Sequence, residues 1–143
     1  SRVALSNIFG LTTMGADVMI CGPSTLMPPH IEKLGVKVSY DMDEVVDWAD
    51  AVNILRIQLE RIGTGLYPSI REYRELFGLS VERIKRHSKD LVVMHPGPMN
   101  RGTEIDSAVA DSDRAIILDQ VLNGVASRMA ILYLLLGGKM EEN

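Results

Sequence analysis

Four short apolar runs, "ADVMIC" at 16–21, "VKVSY" at 36–40, "AVNIL" at 51–55 and "LVVMH" at 91–95, alternate with longer stretches of helical spacing. This alternation limits the fold more than any other feature. The runs are too short for stable helices and are bounded by turn residues, so they read as strands. "VKVSY" alternates with period two, whereas "LVVMH" is apolar throughout, like a strand covered on both faces of a parallel sheet. Strands separated by helices pair in parallel through right-handed crossovers, which predicts a three-layer α/β sheet.

The intervening stretches carry helix signals. Residues 6–14 are mildly apolar at helical spacing and stop at Gly15, a C-terminal cap. Ser24 or Thr25 caps a predicted helix reaching Leu34 and closed by Gly35. "DMDEVVDWAD" places Val45, Val46, Trp48 and Ala49 on one face of a helix with an acidic start. Residues 57–89 are the most polar part, an excursion with short helices at 69–77 and 80–87. Residues 106–123 form a polar connection with a helix, and 125–136 a strongly apolar one. No repeat or interior linker divides the 143 residues, so one domain is expected.

"MAILYLLL" at 129–136 is apolar nearly all round. It is too short, and too close to Arg128, to span a bilayer. A helix needing burial on two faces points to packing against another domain or chain. With 15 Lys+Arg against 19 Asp+Glu, the charge is −4, and no basic field exists to bind nucleic acid. The single cysteine, Cys21, excludes an intrachain disulfide and suits a reducing cytosol, where it reads as a small buried hydrophobe. A start at Ser1, already inside a structured pattern, suggests a processed product or a fragment.

Ligands of parallel α/β sheets gather beyond the carboxyl ends of the strands. Three places qualify: Cys21-Gly22-Pro23, Leu55-Arg56-Ile57-Gln58 and His95-Pro96-Gly97-Pro98. In "LRIQLER", alternation sends Arg56, Gln58 and Glu60 to one side, with Arg61 following. A guanidinium beside a carboxamide suits a dicarboxylate or an amino acid; a solvated loop with an incidental ion pair stays open. Arg2, beside a helix start, could serve an anion or simply be solvated. In "HPGP" the prolines lack N–H donors, so carbonyls can point outward as acceptors, and Gly97 permits close approach to the backbone. Residue types alone leave a rigid turn and a binding loop equally open. Asn100, Arg101 and Glu104 add polar groups to the same rim. Glycine-rich phosphate cradles, metal-ligand spacings and a G-x-S-x-G elbow are not found in the sequence. The residues offer binding and polarisation, and no evident nucleophile.

At these residues the chain resembles the C-terminal, aspartate-binding domain of the aspartate carbamoyltransferases. "SRVALSN", "CGPSTLMP", "LRIQLER", "HPGPMNRGTEI" and "QVLNGVASRMAILYLLLGG" occur in the family's order. The resemblance implies a Rossmann-like α/β/α sheet over residues 1–138, lacking the family's first strand, with a flexible tail at 139–143. It implies transfer of the carbamoyl group of carbamoyl phosphate to L-aspartate in pyrimidine biosynthesis. L-Aspartate would be held by Arg2, Arg56 and Gln58, and the carbamoyl moiety by carbonyls of Gly97 and Pro98 across a cis peptide. Glu60 would orient Arg56, Arg61 and Arg101 would help close two domains, and His95 and Pro96 would support the loop. No metal, cofactor or enzyme nucleophile is implied. Expected partners are the missing N-terminal domain, a homotrimer of the full catalytic chain, and regulatory chains or a dihydroorotase, in the cytoplasm. The ornithine enzymes are less similar, since their His-Cys-Leu-Pro is His95-Pro96-Gly97-Pro98 here. A non-catalytic binding or assembly module is the competing class. Leu5 stands where the family often has arginine, and nothing physical explains that change.

Overall fold

The computed structural model describes residues 2–57, 69–87 and 90–137. Helix α1 (Arg2–Thr13) begins earlier than the periodicity from residue 6 suggested. Ala4, Ile8 and Leu11, at i, i+4 and i+7, form a stripe facing the strands and extend it through polar Ser6 and Asn7. It ends as expected at Gly15 (φ +82°), with Ala16 N–H donating to the Leu11 carbonyl and Gly15 N–H to that of Thr12, both at 3.0 Å. These paired bonds satisfy two orphan carbonyls of the last turn.

Strands β1 (Met19–Cys21) and β2 (Lys37–Ser39) pair in parallel, Met19 opposite Lys37. The helix predicted between them is replaced by two 3₁₀ turns, Ser24–Leu26 and Ile31–Leu34. Pro28 and Pro29 interrupt it, because they lack N–H donors and push the preceding residue out of the helical region. Helix α2 (Met42–Trp48) is capped by Asp41, whose carboxylate accepts from Asp43 N–H at 2.9 Å. It buries Met42, Val45 and Val46.

Strands β3 (Ala51–Asn53) and β4 (Val92–Met94) form a second parallel pair, with Asn53 opposite Met94. Helices α3 (Ile70–Phe77) and α4 (Val81–Arg86) lie between them in sequence, capped by the hydroxyls of Ser69 and Ser80. Helices α5 (Ser107–Ala110) and α6 (Ile117–Leu135) follow β4. The expected division near 124 does not occur, since α6 runs unbroken through Gly124. A mid-helix glycine costs only about 1 kcal/mol, which a long helix tolerates.

Three layers are present. Val18 and Ile20 pack toward Ile8 of α1, while Met19 and Cys21 pack toward Val45, Val46 and Val52. Alternation thus sends β1 side chains into both flanking layers. The strands, however, form two separate pairs instead of one sheet. An apolar cavity of about 320 Å³ lies between them, lined by β1, β3, α1 and α2. Lys37 N–H donates to the Val18 carbonyl, and Ile54 N–H to that of Met94. Alternation therefore turns the backbone groups of Met19, Cys21, Ala51 and Asn53 toward the cavity side.

Between α3 and α4, Arg83 is only 6% exposed. Its guanidinium donates to the carbonyls of Glu75, Leu76 and Gly78, satisfying the end of α3, and to Asp43 at 2.8 Å. Gly78 sits tightly there: a Cβ would meet the Arg74 carbonyl oxygen at 2.6 Å and that of Thr103 at 2.9 Å. Both are backbone atoms that cannot swing away. Gly78→Ala is expected to lower unfolding free energy by about 1–3 kcal/mol, read as a lower urea midpoint.

His87 fastens the end of α4 to α2, between Asp47 and Asp43. The hydrogen bond to Asp47 outweighs burial and, with Asp43, holds the imidazole pKa above its usual value. A raised folded pKa means the stabilisation is complete below about pH 6.5 and fades as pH rises through the folded value. The urea-midpoint difference between parent and His87→Ala is expected to shrink on going from pH 6 to pH 9.

Candidate active site

Parallel register brings the two central sequence motifs together. Because Asn53 lies opposite Met94, the segments leaving β3 and β4 emerge side by side at the carboxyl edge. One carries Leu55, Arg56 and Ile57; the other carries His95, Pro96, Gly97 and Pro98. Asn100 joins them, its side-chain amide donating to the Ile57 carbonyl at 3.1 Å. Arg2 is the first residue of α1, the helix that leads into β1. Arg2 is exposed and Arg56 is half-buried. Gln58, Glu60 and Arg61 lie outside the described residues.

The 95–105 segment is built from within. The Gly97–Pro98 peptide is cis, as expected, and Gly97 has φ +63°. Gly97 and Pro98 are exposed, whereas Pro96 is half-buried. Beneath them His95 and Glu104 are each fully buried. His95 main-chain N–H donates to the Gln120 side chain on α6 at 2.9 Å. Its Nδ1 accepts from Gly97 N–H at 2.9 Å, and its Nε2 faces Glu104 Oε1 at 3.4 Å. The same Glu104 oxygen accepts from Asn100 N–H. Burial would raise the Glu104 pKa, yet the hydrogen bonds from His95 and Asn100 prevail and hold it below the usual carboxylate value.

Placing Glu104 on the polar rim was therefore wrong. Thr103 N–H donates to the Asn100 carbonyl and Gly102 N–H to that of Ile105, folding the segment back so that Glu104 points inward. Arg101 stays on the exposed rim, in a two-pronged pair with Asp111 at 2.8 Å per contact. That carboxylate raises the Arg101 pKa further. Gln120 is a support that residue-type reasoning missed; only its place in "QVLNG" on the helix after β4 hinted at it.

Behind this edge, burial pushes the Cys21 thiol up to about 11, with the Asp41 charge adding to the effect. Cys21 is thus a packed thiol and not an activated one. Tyr73 of α3 is also raised, chiefly by burial and next by the Glu104 charge. Asn53 Oδ1 and Glu104 Oε2 are buried without a hydrogen-bond partner among the described residues. The exposed cis Gly97–Pro98 turn and the half-buried Arg56 thus sit on segments leaving adjacent strands, above the buried His95–Glu104 pair.

Comparisons with known proteins bear on the family. The sequence profile of "Aspartate/ornithine carbamoyltransferase, Asp/Orn binding domain" matches residues 1–135. The aspartate carbamoyltransferase catalytic subunit of Gemmatimonas aurantiaca is 57% identical over 99% of this chain and 44% of its own length. That of Heliobacterium modesticaldum is 61% identical over 96% of this chain and 44% of its own. The chain thus spans less than half the length of these relatives. Ornithine carbamoyltransferase from Pyrococcus furiosus shares the fold with TM-score 0.69 at 24% identity, over 90% of this chain and 44% of that one. Aspartate transcarbamoylase from Trypanosoma cruzi, in complex with carbamoyl phosphate, gives TM-score 0.66 at 26% identity, over 81% and 39%. Profile, relatives and fold converge: the chain belongs to the aspartate/ornithine carbamoyltransferase family, as its amino-acid-binding domain.

Proposed function

We propose that this chain is the aspartate-binding half of an aspartate carbamoyltransferase, which carbamoylates L-aspartate in pyrimidine biosynthesis. The observation that carries this is that the segments bearing Arg56 and the cis Gly97–Pro98 loop leave the carboxyl ends of paired strands β3 and β4. Aspartate is favoured over ornithine because relatives 57% and 61% identical bear the aspartate name. Arg56 and Arg2 hold the two carboxylates, and Gln58 lies near the amine. The outward carbonyls of the loop accept N–H bonds from the carbamoyl group and point it at that amine. The neutral amine attacks the carbamoyl carbon, the new C–N bond forms, the C–O bond to phosphate breaks, and the proton lost from the amine leaves on the phosphate. Catalysis then comes from alignment and from charge stabilisation, which needs no enzyme nucleophile.

Two features support a second half supplied from outside the described residues. The cavity between β1 and β3 has strand edges on both walls, which suits a further parallel strand completing the sheet. Helix α6 exposes Leu118 (84%), Leu122 (68%), Met129 (66%) and Leu135 (78%), a surface suited to packing against another domain. Among the described residues, no helix is long and apolar enough to cross a membrane. We place the full catalytic chain in a cytoplasmic homotrimer, with regulatory chains or a dihydroorotase as further partners.

The 143-residue chain by itself is expected to show no carbamoyl transfer, since no glycine-rich phosphate cradle is found in its sequence. Turnover by the purified chain would contradict this division of labour. Calorimetric titration of the two-domain protein with N-phosphonacetyl-L-aspartate tests the site, with Arg56→Ala as control. Tight binding lost in the variant supports the proposal, whereas equal affinity in both would leave a binding or assembly module as the better description.

A further inference from the structure

We propose that His95 is a positioning residue, held as the neutral Nε2–H tautomer, which aims the Pro96 carbonyl outward and exchanges no proton with substrate. The functional part rests on the proposal that the 95–98 loop faces the carbamoyl group. His95 is fully buried, so no substrate atom can reach its ring. Its Nδ1 accepts a hydrogen bond from Gly97 N–H at 2.9 Å. A ring nitrogen that accepts an N–H carries no proton of its own, so the neutral ring carries its proton on Nε2. Nε2 faces the Glu104 carboxylate, an acceptor, at 3.4 Å. The two contacts therefore specify the same tautomer independently.

The consequence for the loop follows from peptide geometry. The Pro96–Gly97 peptide is trans, since among the described residues the cis bond is Gly97–Pro98. In a trans peptide the C=O and N–H point in opposite directions. With Gly97 N–H drawn inward to the buried ring, the Pro96 carbonyl is directed away from it, toward the exposed side of the loop. Gln120 fixes the main chain at His95, and Glu104 gathers both the ring and the Asn100 N–H. His95 thus governs an acceptor's direction without touching what it binds.

Three replacements in the two-domain enzyme test this. Asparagine can accept from the N–H two residues ahead, as Nδ1 does; alanine and leucine cannot. His95→Ala and His95→Leu are expected to lose about 100-fold in kcat, because small misalignments of reacting groups are costly. Aspartate KM should move less than kcat. His95→Asn should recover most of the turnover. An asparagine variant as slow as the alanine one would overturn the proposal, and so would full activity in the leucine variant. Ring ¹⁵N NMR of the 143-residue chain gives a readout independent of folding in the variants and of the substrate. A proton on Nε2 is expected, and a proton on Nδ1 would overturn the proposal. With Nε2–H observed but no carbamoylation of aspartate by the parent enzyme, only the functional reading fails.

Discussion

Arg56→Ala, made in the two-domain protein, is expected to cut kcat/KM for L-aspartate by about 30- to 1000-fold. Charge-assisted hydrogen bonds to a carboxylate are worth about 1.5–3 kcal/mol, and stranding a desolvated charge adds to the loss, so about 2–4 kcal/mol of transition-state stabilisation is at stake. Arg56 is half-buried just beyond β3, so a carboxylate bound by it would be met from a partly desolvated position. Arg56→Lys should rescue little, because an ammonium cannot reproduce the planar, two-pronged geometry. Steady-state kinetics with varied aspartate check this. A loss confined to carbamoyl phosphate saturation would place Arg56 on the wrong substrate.

The second large effect concerns stability. Glu104→Ala is expected to lower unfolding free energy by about 3–5 kcal/mol, because a buried polar pair loses one member and the other stays buried. The Asn100 N–H and the His95 ring would both lose their acceptor. Glu104→Gln should cost less, since its amide oxygen still accepts from Asn100 while its NH₂ fills the place of Oε2, now without a partner. The pH dependence has a fixed sign. Because the folded pKa lies below the usual value, the carboxylate's stabilisation is present above the unfolded pKa of about 4.3 and lost as pH falls through the folded one. Parent and Glu104→Gln should therefore converge in urea midpoint on acidification from pH 6.

Much of the scaffold was legible because it rests on local chemistry. Short apolar runs marked every strand, Gly15 and Gly35 closed what preceded them with left-handed backbones, and Ser69 and Ser80 capped α3 and α4. The failures came where non-local or competing terms decided. Pro28 and Pro29 outweighed the helical spacing around them, and the burial stripe of α1 outweighed its polar residues. Splitting of the strands into two pairs was not visible, because strand pairing is a non-local property that short apolar runs do not encode.

Site residues divide in the same way. "HPGP" and "LRIQLER" could be placed on one edge by the strand-end rule, and the β3–β4 register bears out that shared edge for Arg56 and the 95–98 loop. Burial of Glu104 and His95 was hidden, since it depends on turns at 100–105 that fold a polar stretch inward. Gln120 and Arg83 were also unreadable, because each finds its partners across the fold. Long polar side chains in helices ordinarily read as solvated.

The central claim is that this domain selects L-aspartate as the carbamoyl acceptor. The direct measurement is a competition: the two-domain protein, with labelled carbamoyl phosphate and equal L-aspartate and L-ornithine, followed by separation of the labelled products. Label should appear in N-carbamoyl-L-aspartate and be lost with Arg56→Ala. Label in the ornithine product, or in neither, would contradict the account.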